Sequence, residues 1–150
     1  MTWLLDTNIV SELTKPQPDP TCEMWLDAHA ADCAISAITL SELRFGIERL
    51  PDGRKKKERN RDFEFLVEDY HGRFFDFDAP SAFEWGRYAA ELEGAYGSDW
   101  WKQFDLRDTQ IAAIAREYGL TVVTRNVPHF PFCKIANPFE SPNPGARAAL

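Results

Sequence analysis

Four short apolar runs, separated by longer segments of helical periodicity, leave this chain very few ways to fold. They are Trp3-Leu-Leu5, Cys33-Ala-Ile-Ser36, Phe74-Phe-Asp-Phe77 and Thr121-Val-Val-Thr124, with Cys133-Lys-Ile135 as a candidate fifth. None alternates cleanly with polar residues, so each reads as a strand covered on both faces, which is the habit of parallel sheets. Parallel neighbours need crossovers of a dozen residues or more, and the intervening segments have helical length. Helices are expected over residues 8–14, 21–31, 37–50, 55–70 and 107–118, with one more beginning near Pro80. The architecture implied is a three-layer α/β/α domain around a short central parallel sheet of four to five strands. In such a sheet the crossovers are right-handed and the functional crevice lies at the carboxyl ends of the strands.

Punctuation in the sequence supports these boundaries. Pro16, Pro18 and Pro20 cannot sit inside a helix and stop the first one. Pro51-Asp-Gly53 ends the third. Ser81-Ala-Phe-Glu84 matches a capping box, and Pro80 just before it suits a helix start. That helix should close between Gly94 and Gly97, followed by a loop over residues 98–104 that carries Trp100 and Trp101. Gly119 is a typical residue to follow a helix. The domain is expected over residues 1–139, with residues 140–150, rich in Pro, Gly, Ser and Ala, as a loosely held tail.

Composition narrows the function classes. With 150 residues, 44% of them hydrophobic, the chain can bury one real core. A formal charge of −7 does not suit indiscriminate nucleic-acid binding through a basic face. Arg54, Lys55, Lys56, Lys57, Arg59 and Arg61 form a local basic run, which reads first as a solvated helix face and second as a phosphate-tracking patch. No apolar run approaches the length of a spanning helix, and no secretory leader is expected. The three cysteines stand at no metal-like spacing, so a reducing, cytoplasmic setting is expected.

The expected topology brings distant carboxylates together. Asp6 leaves the carboxyl end of the first strand, and Glu42 sits within about 9 Å of the start of the helix after the second strand. Asp108 opens the helix that runs back toward the fourth strand, so it lies at the same edge. Thr124, Arg125 and Asn126 leave the fourth strand there as well. At 100° per residue, Ile111, Ala112 and Ala115 fall on the face of Asp108, which therefore turns toward the sheet. Ile38 and Phe45 fall on one side of Glu42, and Leu40, Leu43, Ile47 and Leu50 on another. Each acid also has an ordinary reading. Asp6 can be an N-cap, Thr39-Leu-Ser-Glu42 a capping box, and Asp105 the N-cap that places Asp108 in the first turn. Three acids meeting at one edge favour a site. Clustered carboxylates without thiol or imidazole partners select Mg²⁺ or Mn²⁺, whose chemistry on phosphate is phosphoester hydrolysis.

In the motifs Leu5-Asp6-Thr7-Asn8, Ser41-Glu42-Leu43, Asp108-Thr-Gln-Ile111-Ala-Ala-Ile-Ala115 and Thr124-Arg125-Asn126, the chain resembles PIN-domain proteins. The resemblance spans about residues 3–139 and is specifically to the VapC or FitB-like toxins of type II toxin–antitoxin systems. It implies a Mg²⁺-dependent endoribonuclease, inhibited by a cognate antitoxin that is a small DNA-binding protein, and usually dimeric. Operator DNA would be reached only through the antitoxin, and no membrane is involved. Carried over by position, Asp6, Glu42 and Asp108 are the acidic site. Asp6 and Asp108 are the implied direct metal ligands, and Glu42 is a third, direct or through water. Asn8, Thr124 and Asn126 match polar positions lining the site, and Arg125 is placed to contact a phosphate.

The match has departures. Where many relatives carry an acid at or just beyond Asn126, this chain reads Asn126-Val-Pro-His129, and Asp105 is the nearest spare carboxylate. His129 is expected in an ordinary surface or packing role, and Trp100-Trp101 in packing. A non-catalytic binding module acting through a DNA-binding partner is the rival reading. A phosphatase of the haloacid dehalogenase type fits less well, because Asn8 stands where that chemistry wants a second acid.

Overall fold

Each expected strand forms: the first two have the expected bounds, the third and fourth are shorter, and the fifth starts two residues later. The computed structural model describes residues 1–140, so the expected tail lies, beyond Glu140, outside the described residues. In chain order the elements are β1 (Trp3–Leu5), α1 (Thr7–Leu13), α2 (Pro20–His29), β2 (Cys33–Ser36) and α3 (Ala37–Glu48). They continue with α4 (Arg54–Asp69), β3 (Phe74–Phe75), α5 (Ala79–Tyr96), α6 (Leu106–Glu117), β4 (Thr121–Val123) and β5 (Ile135–Ala136). Single 3₁₀ turns occur at Ala30–Asp32, Trp100–Lys102 and Val127–His129. The second of them occupies the segment expected as plain loop.

The strands form one parallel sheet in the order β3-β2-β1-β4-β5. Its pleat sorts side chains onto two cores. Leu4, Ala34 and Val122 face a core completed by Tyr88 and Leu92 of α5 and Ile111, Ile114 and Ala115 of α6. Leu5, Cys33, Ile35 and Val123 face the other, with Ile9 and Val10 of α1, Leu26 of α2 and Tyr70. Leu40 and Leu43 of α3 and Leu66 of α4 pack against this second core. The three-layer reading is correct. The alanines of α6, at 112, 113 and 115, are buried and let it lie close to its neighbours.

Two helices start where expected, but their caps differ from the box motifs in the sequence. Pro80 lies inside the first turn of α5, so the cap falls earlier. Asp78 accepts the Ser81 N–H at 3.0 Å, and Ser81 is the third helical residue. Its hydroxyl is buried without a hydrogen-bond partner among the described residues. Asp78 also accepts the Tyr118 hydroxyl, tying the start of α5 to the end of α6. The helix then runs through Gly94 and stops at Gly97, where φ is 89°.

At α3 the cap is Ser36, the last residue of β2, whose Oγ accepts the Thr39 N–H at 3.0 Å. Thr39 is therefore inside the helix, and Glu42 does not belong to a capping box. Because Ser36 is fully buried, its loss leaves an N–H unsatisfied in a dry environment. Ser36→Ala should lower stability by about 1–2 kcal/mol, read as a shifted urea midpoint at constant m-value.

Candidate active site at the carboxyl edge of the sheet

The register sets Leu5 level with Ile35 and with Val123, so Asp6, Ser36 and Thr124 emerge side by side from three adjacent strands. Asp6 and Thr124 line or brace one end of a cleft of about 430 Å³, whose walls include Asp6, Asn8, Glu42, Asp108, Arg125 and Asn126.

Asp6 is held from three directions. Its backbone N–H extends the sheet ladder to the Val123 carbonyl at 2.9 Å. Its Oδ1 accepts the Thr7 N–H at 2.8 Å, which makes it the N-cap of α1. Its Oδ2 accepts the Thr124 hydroxyl at 2.8 Å and the Asn8 amide at 2.9 Å. The cap and the cleft wall are thus the same carboxylate. Burial raises its pKa, against the pull of the Thr124, Thr7 and Asn8 hydrogen bonds. Thr124 is itself fully buried and also accepts the Asn126 N–H at 3.0 Å, so its contacts are to the protein. Asn8 Oδ1 receives the Arg125 N–H at 3.3 Å. The Arg125 guanidinium lies 4.4 Å from the Phe139 ring centroid.

Glu42 comes from the second turn of α3 and accepts the Thr7 hydroxyl at 3.0 Å. Burial raises its pKa, while Thr7 and Arg107 oppose the shift and Asp6 and Asp105 add to it. Arg107 Nη1 stands 3.9 Å from Glu42 Oε2. The same guanidinium binds both oxygens of Asp105, at 3.1 and 3.0 Å. Asp105 is the N-cap of α6, as its sequence position suggested, and its engagement with Arg107 keeps it off the cleft wall.

Asp108 is the third residue of α6. Burial, then the negative charge of Asp6, push its pKa up to about 6, and His129 draws it back. The Nδ1 of His129 lies 3.1 Å from Asp108 Oδ2. The contact gives His129, whose ring is half exposed at the surface, a carboxylate partner on the cleft wall. The sequence signal was its place in the turn leaving β4, the same turn that carries Asn126. Thr7 was also passed over, though it directly joins two acids. Trp100 packs on the core formed by α5 and α6, whereas Trp101 is exposed.

The donor set is carboxylate oxygen with amide, hydroxyl and one imidazole nearby. Among the described residues no three His, Cys, Asp or Glu side chains stand close enough to form a ready-made cage. Two enclosed carboxylates, both raised in pKa by burial and one of them further by the other's charge, still fit a hard divalent cation, which commonly takes one or two carboxylates and keeps several waters.

A short parallel sheet, helices on both faces and acids gathered at its carboxyl edge define an α/β/α domain with a carboxylate site. The PIN domain family model matches residues 3–130, and the chain belongs to that family. Among curated relatives, Toxin FitB of Neisseria gonorrhoeae is 36% identical over 129 residues, covering 85% of this chain and 89% of that protein. VapC ribonuclease Y4jK of Sinorhizobium fredii is 33% identical over 141 residues, covering 91% and 97%. The solved structure of FitAB bound to the IR36 DNA fragment superposes with a TM-score of 0.83 at 30% identity, covering 93% of this chain and 97% of that one. Among the described residues no helix is long and apolar enough to cross a membrane.

Proposed function

We propose that this protein is the toxin of a type II toxin–antitoxin pair, a Mg²⁺-dependent endoribonuclease that also accepts Mn²⁺ and acts in the cytoplasm. The observation that carries the reading is that Asp6 and Asp108, far apart in the sequence, share one cleft, where the charge of Asp6 adds to burial in raising the pKa of Asp108. Relatives covering most of the chain are named as a VapC ribonuclease and a FitB toxin, and the FitAB structure is bound to DNA. Those names support an antitoxin partner and DNA contact made through it; the toxin itself is proposed to be a homodimer within the larger assembly.

Asp6 and Asp108 would hold the cation, with Glu42 joining through water or orienting the nucleophilic water. Bound there, the cation supplies Lewis acidity toward phosphate and a more acidic water. Asp6 is kept in one orientation by Thr7, Asn8 and Thr124, so its geometry is set before substrate arrives. Glu42 is aimed by Thr7 and screened by Arg107. Arg125 and Asn126, on the cleft wall, are positioned to contact the RNA backbone.

The direct test is cleavage of structured RNAs by the purified chain, stripped of antitoxin, with Mg²⁺ or Mn²⁺. Cleavage should vanish in EDTA and return when the ion is restored in excess. Equal cleavage with and without EDTA would overturn the metal assignment, and no cleavage under any ion would overturn the ribonuclease reading.

A further inference from the structure

Phe45 was expected to lie on an apolar helix face, yet it is 61% exposed. It stands on the rim of a groove of about 590 Å³ between α1, α3 and α4. The groove floor is apolar, with Val10, Leu43 and Leu66 contributing. Its rim is cationic: Arg49, Lys55, Arg59 and Arg107 line it against only two acids, Glu42 and Asp62. On a chain of net charge −7 that local excess is conspicuous.

These cations are not equally engaged. Arg59 pairs with Asp62 at 3.2 Å and bonds the Thr14 carbonyl, and Arg107 is committed to Asp105. Among the described residues Lys55 has no ion-pair or hydrogen-bond partner, and Arg49 has only the Phe45 ring, 5.6 Å from its guanidinium carbon. The groove also joins the acid cleft, because Thr7 and Glu42 line both.

We propose that this groove receives the single-stranded RNA next to the scissile phosphodiester, an inference that rests on the ribonuclease reading above. A cleft walled by carboxylates repels a polyanion, so the strand must be held by cations beside it. Arg49 and Lys55 supply free positive charge along the rim, leading toward Arg107 and Glu42. The exposed Phe45 ring, with Arg49 beside it, offers a surface on which one base stacks, and the apolar floor accepts a second base turned inward. Exposed aromatics interleaved with cations are how proteins hold single strands without reading sequence. An apolar protein helix would fill the floor but leave Lys55 without a counter-charge. The six-residue basic run divides accordingly, apart from Lys56, which reaches back to the Glu48 carbonyl and Asp52. Lys55 and Arg59 face the groove, whereas Arg54, Lys57 and Arg61 gather on another face of α4.

The test uses the full chain freed of partner and a fluorescein-labelled, unstructured 12-nucleotide RNA. Anisotropy in EDTA gives Kd across a salt series, and cleavage of the same RNA with Mg²⁺ gives KM. The double variant Arg49→Glu/Lys55→Glu should raise Kd and KM at least tenfold. It should also flatten the slope of log K against log salt by about one unit or more. Phe45→Ala should raise Kd by about tenfold. Lys57→Glu and Arg61→Glu, on the other face of α4, should stay within about twofold of wild type. All these side chains lie at the surface, and an unchanged melting temperature confirms that the variants fold. If wild type cleaves RNA while the groove variants keep its Kd and KM, the groove takes a protein segment instead, and the ribonuclease reading stands. If wild type neither binds nor cleaves RNA, both readings fall.

Discussion

Asp6→Asn should reduce RNA cleavage by about a thousandfold or more, because loss of the carboxylate removes several kcal/mol of support for a hard cation at the phosphate. The change is nearly isosteric but not silent. Every neighbour of the Asp6 side chain is a donor: the Thr7 N–H and Asn8 amide, and the Thr124 hydroxyl. An amide can accept on one side only, and its NH₂ then faces a donor. The Thr124 hydroxyl can rotate to accept, while the Asn8 amide must flip and release the Arg125 N–H. The structural cost should therefore be modest, and a single-turnover assay on folded protein isolates the loss of charge. A cleavage rate within tenfold of wild type would sink the assignment of Asp6.

Asp108→Asn should have two effects of opposite value. Cleavage should fall by a similar factor, yet the metal-free protein should become more stable at neutral pH. The carboxyl of Asp108 is raised to about 6 by burial and by Asp6, from an ordinary value of 3.8. Between those values the folded state keeps a proton that the unfolded chain gives up, so stability falls as pH rises through the window. Above it the folded protein carries the full cost of a buried charge beside another. Replacing Asp108 with the neutral amide should recover about 1–3 kcal/mol at pH 7.5 and almost nothing at pH 4, measured by denaturant unfolding in EDTA. Added Mg²⁺ should raise the melting temperature of wild type and leave that of the variant nearly unchanged. A variant no more stable than wild type at pH 7.5 would show that the two acids do not repel in solution.

Much of this geometry is legible in the sequence, for identifiable reasons. Short, mostly apolar runs without clean alternation point to the parallel sheet, and a parallel sheet dictates which strand and helix ends share an edge. That suffices to bring Asp6, Glu42 and Asp108 to one place. Helical phase turns Asp108 inward, and the structure agrees.

What the sequence hides depends on where the chain leaves one element for the next. Ser36 and Asp78, not Thr39 and Ser81, cap their helices, because each helix begins one turn earlier than the box motif suggests. Phe77 and Cys133 fall outside their strands because neighbouring strands are too short to pair with them. The contact between His129 and Asp108 spans 21 positions and arises from a 3₁₀ turn that no periodicity announces. Phe45 follows the helical stripe but finds no layer above it.

The hydrogen bond from the Asp6 amide to Val123 has a further consequence. It makes one wall of the cleft a continuation of the sheet, so this amide should exchange with solvent only when the whole domain opens. The facing wall rests on the first turn of α6, where Leu106 is exposed, and on the short turn at Val127–His129. Its amides should exchange through local fraying. On that expectation the cleft joins a fixed jaw to a more compliant one, and adjustment to an incoming strand should fall to the side that carries Asp108 and His129.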